Sequence, residues 1–62
     1  MTMLEYFKLI LQKVSFDVWL FSKELSKASK NLLSEELRLL KIWCVDTFGW
    51  KFCLTADPNF SL

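Results

Sequence analysis

Two cysteines, two adjacent glutamates and a scatter of lysines are the residues of this chain whose types could do chemistry. A thiol becomes a nucleophile when a base or cation lowers its pKa, and the usual base is missing because the chain has no His. Lys41, one helical turn before Cys44, is the nearest cation in sequence. Cys44 and Cys53 also fall short of a structural zinc set, which needs four ligands. In a reducing compartment they read as small apolar side chains packed in a core. Glu35 and Glu36 are neighbours and so point in different directions on a helix, which is poor geometry for paired acid–base work. Asn59-Phe60-Ser61 matches the glycosylation sequon. However, the N-terminus has no basic stretch ahead of its apolar residues and no small-residue cleavage site, so a secretory route is not expected. The expectation is a cytoplasmic protein without catalysis, cofactor or metal.

Composition narrows the partners. Of 62 residues, 53% are hydrophobic, and the aromatics alone are six Phe, three Trp and one Tyr. At this length apolar gain and ordering cost nearly cancel, so a lone domain is marginal. It also cannot hide that many large apolar groups inside itself. A net charge of +1 offers no bulk attraction for nucleic acid. The runs Val18-Trp19-Leu20-Phe21 and Ile42-Trp43-Cys44-Val45 are far too short to span a bilayer.

The elements that would position these residues are helices. Gly49 and Pro58 are the only strong breakers, so most of residues 1–48 can be helical. The pattern predicts an all-α fold, a single domain over 1–62 built as a three-helix bundle with helices at about 3–14, 17–31 and 35–48. A short extended C-terminal segment follows, and dimerisation completes the bundle. Thr2-Met3-Leu4-Glu5 reads as a capping box for the first helix, whose stripe is Met3, Tyr6, Phe7, Ile10, Leu11 and Val14. Asp17 is a good N-cap for the second helix, and Phe16 with Phe21 fits a hydrophobic staple across it. The apolar stepping nevertheless runs without a phase slip from Met3 to Val18 and on to Leu32. One continuous helix from 3 to 32 is therefore an alternative. The stripe of the third helix, Leu37, Leu40, Cys44 and Phe48, is rotated by roughly 130° from that of the second, which requires a break near Asn31–Leu33. Glu35 and Glu36 suit its first turn, and Gly49 suits its end. Trp50-Lys51-Phe52-Cys53-Leu54-Thr55 alternates weakly, which predicts extended chain. A turn follows at Ala56–Asn59, and the last three residues are expected to be loose.

The functional expectation comes from surfaces. Leu39 and Ile42 fall on the side of the third helix opposite Leu40 and Cys44, and a helix apolar on two sides is usually shared or central. Either a second copy of the chain covers them or the C-terminal segment folds back over them. The first is the expectation, with Trp19, Leu39, Ile42 and Trp43 as the interface of a homodimer or higher oligomer and another protein as a further partner class. The chain then reads as a non-catalytic helical interaction or structural module. The alternative is a peripheral binder of a membrane surface or an acidic partner through Lys23, Lys27 and Lys30 with Trp19, which stands four residues before Lys23 and could make a cation–π contact. A pocket for a small apolar ligand between helices is a third class, with no convergent polar groups to mark it.

Overall fold

In the computed structural model, which describes residues 1–62, four helices and no strand account for the ordered elements. They are α1 (Met3–Lys13), α2 (Val18–Asn31), α3 (Ser34–Phe48) and α4 (Trp50–Ala56). Helices α2 and α3 each touch every other helix, whereas α1 and α4 lie on the flanks and do not meet. The core is contiguous: Phe7 and Leu11 from α1, Phe21, Leu25 and Ala28 from α2, Leu40 and Cys44 from α3, Cys53 and Ala56 from α4, closed by Leu32 and Phe60. The rings of Phe48 and Phe52 stand edge-on to Phe21 at 5.2 and 4.8 Å, so the largest buried side chain is held from two helices. The chain exposes 4289 Å², close to the roughly 4,200 Å² of a typical folded monomer of this mass.

Local chemistry explains the boundaries. The Thr2 hydroxyl accepts the Glu5 N–H at 3.1 Å, but its own proton goes to the Glu5 carboxylate at 3.2 Å, so the second half of a capping box is not made. Between α1 and α2 the Asp17 N–H donates to the Val14 carbonyl. The Asp17 carboxylate in turn accepts from the Trp19 and Leu20 N–H groups at 2.9 and 3.4 Å. This pair of bonds breaks the run at Ser15–Asp17, and the single helix from 3 to 32 is not formed. The staple fails, because Phe16 is 81% exposed and Val18 packs on the core instead. At the start of α3, Leu33 has no side-chain acceptor to offer, and the Glu36 carboxylate receives the Leu33 N–H at 3.0 Å.

The C-terminal segment differs from the extended chain expected. Trp50–Ala56 is helical, so the bundle has four helices rather than three. The weak i, i+2 alternation of Trp50, Phe52 and Leu54 suggests extended chain, yet Cys53 and Ala56 are the buried positions, at i, i+3 spacing, with Phe52 beside them. Packing on α2 and α3 selects the helical period over the extended one. Gly49 makes the junction, with φ 90° and ψ 157° ending α3 and starting α4 in one residue. The last three residues are not all loose. Phe60 is 4% exposed, edge-on to Trp50 at 5.8 Å, and its N–H is held by the Asp57 carbonyl.

Candidate functional site

Cys44 sits one turn before the end of α3 and Cys53 at the middle of α4, both free and both buried. Burial pushes the Cys44 thiol up to about 12, with the neighbouring Cys53 adding to the rise. Burial raises Cys53 as well. Both are thus protonated at neutral pH and shielded from reagents. Lys41 does not reach Cys44; its ammonium lies over the Phe60 ring at 5.7 Å. Nothing in this arrangement activates a sulfur.

A cleft of about 270 Å³ runs between α2, α3 and the C-terminal turn and is lined by Ser22, Ser26, Ser29, Lys41 and Asp57 among others. Sequence reasoning missed it, although serines recurring every third or fourth residue along α2 are a legible stripe. Ser29 and Asp57 are bonded locally, and Lys41 lies over the Phe60 ring. The Ser29 hydroxyl donates to the Ser26 carbonyl at 2.7 Å, and the Asp57 carboxylate accepts the Asn59 N–H at 3.1 Å. No buried side-chain polar atom anywhere in the chain lacks a partner. The cleft is therefore a solvated seam between helices rather than a site that calls for a ligand.

The outer face of α3 is different. Leu39 and Ile42 remain 54% and 42% exposed, and α4 packs elsewhere, so the C-terminal segment does not cover them. Glu35 and Arg38 join them around a shallow hollow of about 270 Å³, and Asp46 stands one turn further on. Trp43, on the α1 side of this face, is only half-buried; it is edge-on to Phe48 at 5.4 Å, with the Lys8 ammonium 5.8 Å from its ring. Trp19 lies apart from these three, on α2, 70% exposed. The structure thus brings together Leu39, Ile42 and, at the edge, Trp43, and leaves Trp19 on another element.

On α2 the lysines do share a solvent-facing side. Lys23, Lys27 and Lys30 are all exposed, and Lys27 is bound to Glu24 at 3.2 Å. No lysine lies over Trp19, and the cation–π contacts are those of Lys8 and Lys41. Nor is any helix long and apolar enough to cross a membrane. No family model, curated protein or solved structure matches the chain, so surfaces alone carry the functional reading.

Proposed function

We propose that the protein is a small non-catalytic helical module that works by association, with a second copy of itself as the first partner and the outer face of α3 as the contact. The observation that carries this reading is the uncovered pair Leu39 and Ile42 on a helix whose opposite side is already fully packed by Leu40 and Cys44. Protonated, buried thiols and the lack of any His support the non-catalytic part. Burying a whole aliphatic side chain gains about 1.5–3 kcal/mol. About half of each remains to be gained, so four side chains across a two-fold axis contribute on the order of 3–6 kcal/mol. Association costs about as much or more, so the contact is weak and concentration-dependent, and needs further complementarity. Light scattering and sedimentation from micromolar to millimolar protein test it. A rising mass is expected, and a monomer at every concentration refutes the reading.

A second reading rests on Trp19, 70% exposed beside Lys23, with Lys23 and Lys30 free of any ion pair. An apolar indole next to unpaired ammonium groups suits an anionic lipid surface or an acidic partner. Co-sedimentation with vesicles containing and lacking phosphatidylserine tests this; binding only to the anionic ones would support it.

A further inference from the structure

The charges that flank Ile42 say how two copies would fit. Arg38 and Asp46 lie one helical turn before and after Ile42, both exposed, and neither is paired within its own chain, whose one ion pair is Lys27–Glu24. A two-fold contact is self-complementary, so each residue meets a counterpart fixed by where the axis passes. With the helices parallel, Arg38 meets Arg38 and Asp46 meets Asp46, and like charges oppose at both ends. With the helices antiparallel and the axis midway between Leu39 and Ile42, Glu35 faces Asp46, again like charges. With the axis at Leu39, Asp46 extends past the first residue of the other α3, and Arg38 faces Leu40. Only an axis at Ile42 places Arg38 against Asp46 twice, about 6 Å either side of the centre along the helix. That register also sets Leu39 against Val45, and Glu35 against Gly49, which has no side chain to oppose it.

We propose that two copies pair through antiparallel α3 helices crossing at Ile42, with reciprocal Arg38–Asp46 ion pairs setting the register. The inference rests on the self-association reading above and specifies its geometry. Arg38→Glu alone turns both pairs repulsive, as does Asp46→Arg alone. An equimolar mixture of the two single variants has attractive charges at both positions of a heterodimer, and the double variant restores them in a homodimer.

The test is sedimentation equilibrium of wild type, each single variant, their mixture and the double variant, in low salt, with helix content checked by circular dichroism. The expected result is at least a tenfold rise in Kd for each single variant alone. Mixture and double variant should return to within about threefold of wild type. Both substituted side chains are exposed and make no hydrogen bond, so helix content should not change. A dimer that tolerates the single variants, or singles that the mixture does not rescue, overturns the register while leaving self-association standing. A wild type that stays monomeric throughout overturns both.

Discussion

Helices α2 and α3 bury their inner sides in the same core, but they present opposite outer sides. α2 shows Lys23, Lys27 and Lys30 to solvent and closes its own start with the Asp17 carboxylate. α3 shows Leu39 and Ile42, has an N-cap without a side-chain acceptor, and ends on a glycine. The outer side of α2 is mostly polar, with Trp19 at its start as the large apolar exception. The outer side of α3 leaves two aliphatic side chains uncovered. The largest expected effect tests that contrast directly. Leu39→Glu with Ile42→Lys should weaken self-association by about 3–6 kcal/mol, roughly a hundredfold to ten-thousandfold in Kd. Lys23→Glu with Lys30→Glu on α2 should leave the sedimenting mass unchanged. Equal effects from both would erase the distinction between the two faces.

The helix ends sharpen the comparison at a smaller scale. Gly49 holds φ at 90° with nothing within 4 Å of where a Cβ would sit, so any cost of substitution there is conformational rather than steric. Gly49→Ala should lower stability by about 1–3 kcal/mol in thermal melts. A D-alanine at that position, introduced by synthesis, should be neutral or stabilising because it prefers positive φ. At the start of α2, Asp17→Ala removes the acceptor for two N–H groups and should cost about 0.5–2 kcal/mol, while Asp17→Asn should retain most of the cap. A stabilising Asp17→Ala would mean that α1 and α2 run together as one helix. At α3 the corresponding bond runs from the Leu33 N–H to Glu36, so Glu36→Ala should cost less than Asp17→Ala, since only one donor is released.

Much of this architecture could be read from residue types. Thr2 and Asp17 mark helix starts because short oxygen-bearing side chains reach free N–H groups, and Gly49 marks an end because only glycine adopts its φ without penalty. The phase change between the stripes of α2 and α3 calls for a break near Asn31–Leu33, and the two helices part at Leu32 and Leu33. The failures share a cause, which is that short segments take their conformation from what they pack on. Trp50–Ala56 is too short for its period to be decisive, and its helix is selected by contact of Cys53 and Ala56 with α2 and α3. Phe60 is buried because the turn at Asp57 carries it back to Trp50, a contact that no local pattern announces. Phe16 has the right spacing for a staple but points to solvent, since the turn that lets Asp17 cap α2 also sets its direction. The outer face of α3 was legible as Leu39 and Ile42, while the unpaired Arg38 and Asp46 beside them acquire meaning only once their exposure is known.

The inner faces of α2 and α3 differ too, in a way that pH should reveal. α2 buries only Phe21, Leu25 and Ala28, none of which ionises, whereas α3 places Cys44 at the centre of the core. The folded Cys44 thiol lies at about 12 against the ordinary 9.0, raised first by burial and then by Cys53. A group that holds its proton more tightly when folded contributes stability that is complete below its unfolded pKa. That stability is lost as pH rises through the interval from about 9 towards about 12. At pH 9.5 the loss from Cys44 alone should be on the order of 1 kcal/mol, and it steepens towards about 1.4 kcal/mol per pH unit above that. Cys53, shifted in the same direction, adds to the slope. Urea midpoints of wild type and Cys44→Ala, compared between pH 8 and 10.5, isolate the contribution. The variant is expected to start less stable, because its core loses a sulfur, and then to decline more gently with pH. Parallel slopes would place the Cys44 thiol near its ordinary value and hence within reach of water. The inner side of α3 would then be as incompletely packed as its outer side.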